Sequence, residues 1–366
     1  MRSWAPYAVT EKNSRGRIYP QPPHPYRGDF ERDRDRIIHS AAFRRLEGKT
    51  QVFTPNVNDH YRTRMTHSIE VAQIGRTIAR VLNLNEELTE AVCLAHDIGH
   101  SPFGHTGEQI LNKRMKKHGG FEHNRQSLRI VDFLEHPYPD FRGLNLMYET
   151  RQSLAGHYGP YDHGRLTEFS ERTVCLEGQI ANLADRIAYN CHDLEDGILS
   201  RLLDEELART VSLFRQAQEK IGAASIDDYV IRRIRTAKAI LDRLVVDAVE
   251  ASRQAIQKAR IRTLEQVYQH PEPLIVLRQE TLAEVQELET FLQQRLYSHP
   301  ALRENDPQIE EWLNKLFDWF TANPQQMPGY FFRLIESEGL ERTVCDYIAG
   351  MTDRYALSLL QKISSR

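Results

Sequence analysis

Between Ala95 and Glu108 the chain sets three histidines and two carboxylates (His96, Asp97, His100, His105 and Glu108) among Gly99, Pro102, Gly104 and Gly107. The residues just before this stretch predict a helix. Asn85 is placed to cap it, Glu86 and Glu87 favour its positive end, and Leu88, Ala91, Val92 and Ala95 recur at helical spacing. Gly99 and Pro102 then stop it. His96 and Asp97 would project from the last turn of a largely apolar helix, where a charge or an unpaired imidazole is costly without a partner. A metal ion is such a partner. Adjacent helix positions point about 100° apart, so both side chains reach one ion only if it lies off the helix end. Further ligands must then come from other helices, and the search turns to a lone histidine and a lone aspartate.

Upstream, Val71, Ile74, Ile78 and Val81 form a stripe at steps of three and four, which predicts a core helix. One turn back lies His67, pointing inward. Standing alone, it would read as a core histidine satisfied by a backbone carbonyl. Downstream, Ile180, Leu183, Ala184, Ile187, Cys191 and Leu194 form the buried face of another helix, and Asp185, Tyr189 and Asp193 make a polar stripe beside it. A solvated face is the ordinary explanation of such a stripe. Against it, Asp185 completes a set with His67 and His96-Asp97.

The chain has 366 residues, 40% hydrophobic and 27% charged, with a net charge of -3. This is enough to bury a sizeable core, and it argues against wholesale coating of nucleic acid. Cys93, Cys175, Cys191 and Cys345 form no CxxC pair, so a reduced cytoplasm fits best. No run approaches the roughly 20 apolar residues of a membrane helix and the N-terminus shows no apolar signal core, so neither secretion nor membrane spanning is expected. The organisation expected is an all-α chain in three stretches. Residues 1–28, with Pro20, Pro22, Pro23 and Pro25, read as an extended arm, disordered or lying across a neighbouring subunit. Residues 29–200 form the catalytic core. Residues 201–366 form a C-terminal helical region packed on that core, with helical patterns at 230–249, 282–296 and 309–320 that also supply subunit contacts.

Within that frame, the run of Arg32, Asp33, Arg34, Asp35 and Arg36 reads as a solvated helix face. Ile37, Ile38, Ala41, Ala42 and Phe43 begin a helical pattern. Lys49 to Pro55 reads as a short strand or turn closing over a pocket. Phe121 to Ser127 reads as a loop in which His123 and Arg125 can face a phosphate chain. Residues 136–165 read as an insertion shaping the pocket, around a short helix near Tyr148 to His157. Arg232, Arg233, Arg235 and Lys238 form a basic face, read as solvated, with single-stranded nucleic acid as the other reading. The block from Arg342 to Tyr355 is expected to pack back near the pocket, with Arg354 in reach of a phosphate.

The ordered set His67, His96-Asp97 and Asp185 resembles the HD superfamily of metal-dependent phosphohydrolases. Further motifs narrow the resemblance to the deoxynucleoside triphosphate triphosphohydrolase, or dGTPase-like, family. These are an Arg-Asp-Arg sequence near Asp33, Phe43-Arg44-Arg45-Leu46, Lys49-Thr50-Gln51-Val52-Phe53, Arg64-Met65-Thr66-His67-Ser68, the His96 to Glu108 stretch and Phe121-Glu122-His123-Asn124. The resemblance runs from about Asp33 to Asp196, and the block from Asp346-Tyr347 to Arg354 looks like the bacterial branch.

It implies an HD-domain helical bundle with an additional C-terminal helical region. His67, His96, Asp97 and Asp185 would bind a divalent ion, with imidazole and carboxylate ligands suiting Mn, Mg, Fe or Co. The implied reaction takes a dNTP to deoxynucleoside and tripolyphosphate, water attacking the α-phosphorus. His105 would assist proton transfer and Glu108 would orient it. His100, His123, Arg64 and Arg186 would hold the triphosphate, Arg186 standing where relatives have lysine. Tyr189 would pack against the sugar, and Gln51 and Asp193 would bond the 3′-hydroxyl. Bacterial relatives are commonly homo-oligomers, often hexamers, and some are activated by a dNTP at a second site. Two alternatives are another HD phosphohydrolase, either a 5′-nucleotidase or a phosphodiesterase, and a regulatory protein that binds single-stranded nucleic acid.

Overall fold

The structure, a computed structural model, describes residues 4–53, 60–156 and 169–365. All of its regular elements among these residues are helices, as expected of an all-α chain. Extended backbone pairs at two isolated bridges, Arg17 with Met147 and Thr50 with Thr63. No described helix is long and apolar enough to cross a membrane. Two compact units interleave along the sequence. The first comprises Met1–Arg34, His67–Leu94 and Met147–Arg303, and the second Asp35–Thr66, Ala95–Leu146 and Glu304–Arg366.

The first unit is built around the helix Leu176–Leu199, whose residues Ile180, Leu183, Ala184, Ile187, Cys191 and Leu194 are all buried, as their spacing predicts. The helix Glu86–Ala95 begins where the cap residue places it, Asn85 Oδ1 accepting from the Leu88 N–H at 3.0 Å. In the helix Arg64–Val81, Val71, Ile74 and Ile78 are buried, but Val81 is 45% exposed. Leu82 and Leu84 take over burial beyond its end. Helices Tyr229–Lys258 and Gln279–Leu292 bear out the expected C-terminal pattern.

Two expectations fail in this unit. The charge run near residue 33 is not a solvated face: Asp33 is wholly buried on the helix Asp29–Ile38, accepting from Arg17 Nη1 at 2.5 Å, Thr150 Oγ1 at 2.7 Å and the Met147 N–H at 2.8 Å. A buried carboxylate survives where hydrogen bonds and a cation replace its water. Nor do the first residues stand clear as an arm. Ala8 and Val9 are fully buried, and the Ala5 N–H bonds the Asn83 carbonyl at 2.9 Å.

Glu177 fastens that segment. Its Oε1 accepts from the Val9 N–H at 3.0 Å and the Asn85 N–H at 3.1 Å. Burial pushes its carboxyl from an ordinary 4.5 up to about 7, against the opposing pull of these bonds. A carboxyl raised on folding contributes stability that is full below its unfolded value and lost as pH rises through the folded one. The wild-type melting temperature is therefore expected to fall between about pH 5 and pH 8, by the equivalent of about 3 kcal/mol. Glu177→Gln should flatten that decline, which differential scanning calorimetry across the window would read.

The second unit packs helices Gly104–Met115, Asp306–Ala322, Leu340–Ala349 and Asp353–Ser364 around Leu111, Met115, Leu313, Leu316, Phe317, Val344 and Ile348. The terminal block thus forms two helices with a break at Gly350. Lys49 follows a short helical turn, Leu46–Gly48, and extended backbone carries the chain to Thr50, bridged to Thr63. Thr54 and Pro55 lie outside the described residues, as do His157 and the rest of the expected insertion to residue 165. The short helix expected there is Tyr148–Ala155, in the first unit.

Candidate active site

In the second unit the helix Glu86–Ala95 ends one residue before His96, so His96 and Asp97 sit in a turn rather than in its last helical turn. Ser127 staples that turn, accepting from the Gly99 N–H at 3.0 Å and donating to the His96 carbonyl at 3.1 Å. The chain then enters Gly104–Met115 through two left-handed residues, Phe103 at φ 62° and Gly104 at φ 58°. Asp353 accepts from the Phe103 N–H at 2.9 Å and from the Thr50 N–H and hydroxyl at 3.1 and 2.5 Å. Lys49, wholly buried, donates to the carbonyls of His100 and Ala349.

These backbone restraints hold a network of charges. Arg64 donates to Asp97 Oδ2 at 3.0 Å and to the Thr50 carbonyl at 2.8 Å. Asp97 Oδ1 lies 3.2 Å from His100 Nε2 and 3.4 Å from His96 Nε2. Burial would raise the Asp97 carboxyl, but Arg64, His96 and His100 together hold it well below the usual carboxylate range. Burial, then Arg64 and His123, push the His100 imidazole well below its ordinary value, so it stays neutral. The rings of His100 and His123 stack at 4.0 Å.

Glu108 meets His123 more closely than it meets the His105 expected of it. Its Oε1 accepts from both the backbone N–H and Nδ1 of His123, each at 2.9 Å, whereas His105 Nδ1 is 3.9 Å from Oε2. Despite burial, His123 holds the Glu108 carboxyl below the usual range. His105 is 60% exposed by side chain and so open to a bound molecule. His123 opens a helix, His123–Arg129, rather than lying in a loop; Glu122 caps it by accepting from the N–H groups of Asn124 and Arg125. Arg125 and Arg354 are exposed, and Gln51 is half-buried. Residues 136–142 do shape a cavity of about 400 Å³, lined also by Tyr330 and Arg333 of the same unit, but none of the candidate residues lines it.

In the first unit His67 Nε2 lies 2.9 Å from Asp185 Oδ1. Beyond Asp185 on Leu176–Leu199, Arg186 and Tyr189 meet a residue the sequence reading missed. Glu289 takes Arg186 in a two-pronged pair at 2.8 and 2.8 Å, the Tyr189 hydroxyl at 2.7 Å and the Asn190 amide at 3.1 Å. Tyr297 donates to Asp193. Glu289 stands a hundred residues from these partners, so no local spacing signals it. The basic face downstream is partly paired, Arg232 with Glu205 at 2.8 Å, while Arg235 and Lys238 are exposed.

Comparison with known proteins now decides the family. The HD domain profile matches residues 64–190, and a phosphohydrolase-associated domain matches residues 275–362. A deoxyguanosinetriphosphate triphosphohydrolase-like protein of Geobacter metallireducens is 45% identical over 98% of this chain and 94% of its own length. Its namesake in Thiobacillus denitrificans is 45% identical over 97% of this chain and 96% of its own length. This chain belongs to the dGTPase-like family of HD-domain proteins. The HD match of this dGTPase-like chain contains the histidine-rich turn and ends one residue past Tyr189. Its C-terminal helices, expected to supply core and subunit contacts, carry the phosphohydrolase-associated match. The dGTPase-like chain is accordingly a hydrolase of the HD class.

Proposed function

We propose that this chain is a metal-dependent deoxynucleoside triphosphate triphosphohydrolase that converts a dNTP and water to a deoxynucleoside and tripolyphosphate. The observation that carries the reading is the Arg64, Asp97, His100, Glu108 and His123 network, which sets a guanidinium and two stacked imidazoles around fixed carboxylates beside an exposed histidine. His67, His96, Asp97 and Asp185 would hold the ion. The donor chemistry fits: His67 Nε2 and the Asp185 carboxylate, 2.9 Å apart, both offer lone pairs to a divalent cation. Mn, Mg, Fe and Co all suit this set, and such an ion would supply Lewis-acid polarisation of a phosphoryl oxygen and a more acidic water.

The side chains divide the remaining work. His105 moves the proton at the reacting oxygens. His123, aimed by Glu108, and His100 line the phosphates, while Arg64 and Arg186 supply positive charge where negative charge builds. Tyr189 packs on the sugar, and Gln51 and Asp193 bond the 3′-hydroxyl. Because Glu289 fixes both Arg186 and Tyr189, Glu289→Ala should raise KM about tenfold or more while changing kcat less, measured by steady-state kinetics on one dNTP. A homo-oligomer, as a hexamer, belongs to the same reading, and light scattering tests it. The four cysteines are buried and form no disulfide among the described residues, which accords with a reducing compartment, the cytoplasm.

The test is product analysis after incubating metal-loaded protein with each of the four dNTPs and with GTP, beside an EDTA-treated sample. Tripolyphosphate released from dNTPs in the metal-loaded sample alone is the expected result, and it also ranks the bases. Cleavage confined to monophosphates or cyclic nucleotides would move the chain to a 5′-nucleotidase or phosphodiesterase role. Salt-sensitive binding of single strands without turnover would make it a nucleic-acid-binding protein.

A further inference from the structure

Four side chains of the first unit stand in a row. Glu70 Oε2 lies 3.1 Å from His192 Nε2, His192 Nδ1 lies 3.1 Å from His67 Nδ1, and His67 Nε2 lies 2.9 Å from Asp185 Oδ1. The two imidazoles meet edge to face at 86°. His192 is buried, with 5% of its side chain exposed, whereas Glu70 is 44% exposed. Glu70 follows His67 by three residues on one helix, and His192 follows Asp185 by seven on another, so the row joins two helix faces.

The order of donors in this row follows from its ends. A carboxylate only accepts, so Glu70 takes the His192 Nε2–H, and the tautomer that carries its one proton there keeps its lone pair at Nδ1. The contact between the two Nδ1 atoms then requires His67 to donate. His67 is left with its lone pair at Nε2, the nitrogen beside Asp185. In that tautomer the His67 Nε2 lone pair and the Asp185 carboxylate, 2.9 Å apart, are set to share one cation. A histidine that binds a metal through one nitrogen is typically fixed in tautomer and orientation by a hydrogen bond from the other.

We propose that His192, itself held by Glu70, is a positioning residue that fixes His67 with its Nε2 lone pair turned toward Asp185, and so sets the affinity of that pair for a divalent cation. The inference rests on the reading of His67 and Asp185 as ligands.

The test titrates full-length, EDTA-stripped protein with Mn²⁺ alone, followed by calorimetry and by the Mn²⁺ electron paramagnetic resonance signal. His192→Leu should weaken binding about 10- to 100-fold. His192→Asn, whose amide oxygen can stand in for Nδ1 as acceptor, should restore most of it, and Glu70→Ala should give a smaller loss than His192→Leu. Melting temperatures in EDTA check the fold; if His192→Leu does not fold, Glu70→Ala, at a half-exposed position, still decides. Binding within twofold of wild type in His192→Leu, or in Glu70→Ala where it alone folds, overturns the inference while leaving the ligands in place. If His67→Ala and Asp185→Ala also bind Mn²⁺ as wild type does, the ligand reading itself fails and takes the inference with it.

Discussion

Asp97→Ala is expected to remove turnover by about a thousandfold or more and to destabilise the protein by about 3–5 kcal/mol at the same time. The two losses have different origins. Asp97 shares a buried ion pair with Arg64, whose side chain is 3% exposed, so the alanine variant leaves a guanidinium in the interior with its second anchor, the Thr50 carbonyl, unable to neutralise it. Removing one partner of such a pair costs far more than the pair's net worth. Asp97→Asn separates the effects. Its amide oxygen still accepts from Arg64, so much of the stability should return, while a neutral group that binds divalent ions weakly should leave turnover low. Chemical denaturation of both variants, with their rates of tripolyphosphate release, reads the two quantities. A fully active asparagine variant would remove Asp97 from the ligand set.

Gly99→Ala is the second large effect, and it acts without touching any functional group. A Cβ at Gly99 would stand 2.0 Å from the His123 carbonyl, 2.4 Å from the Ser127 nitrogen and 2.6 Å from the Ser127 hydroxyl. Two of these are backbone atoms of the helix that presents His123, so no rotamer change relieves the contact. The turn and the helix must part. The expected cost is about 3 kcal/mol or more, at the upper end for overpacking, against about 1–2 kcal/mol for Ser127→Ala, which loses only the staple's hydrogen bonds. Displacing His123 and His96 by about an ångström should lower turnover roughly a hundredfold. Melting curves and kinetics for the glycine and serine variants together would show whether backbone contact or the staple dominates; a Gly99→Ala protein as stable as wild type would refute the close packing.

What the sequence made legible was what repeats locally. The faces of Leu176–Leu199 and the Asn85 cap follow from spacing within single helices, which every helix must display to bury one side. The site residues were legible as a list because the motifs are short. Their pairings were not. Glu108 and His105 are one turn apart and suggest each other, yet His123 offers Glu108 both a backbone N–H and a ring nitrogen from the start of its own helix. The signal for that helix was present in Glu122, an N-cap residue just before it. Asp33 and Lys49 were misread or passed over because a buried charge looks like any other charge until its distant partners are known. Glu289 and His192 are hidden for the same reason: each acts on residues about a hundred positions away or more.

The latch made by Asp353 ties the chemistry to the order of protein synthesis. The carboxylate that secures Phe103 and Thr50 is encoded 250 and 303 residues after them, and the carbonyl of Ala349, which helps retain Lys49, comes 300 residues after that lysine. Contacts this far apart in sequence form late, since the intervening chain must be closed first. The histidine turn is therefore unlatched until the chain has been made through Asp353, and it fastens once the helix Asp353–Ser364 has emerged. A chain cut before Thr352 carries every histidine of the turn and lacks the carboxylate that holds Phe103 and Thr50 beside it.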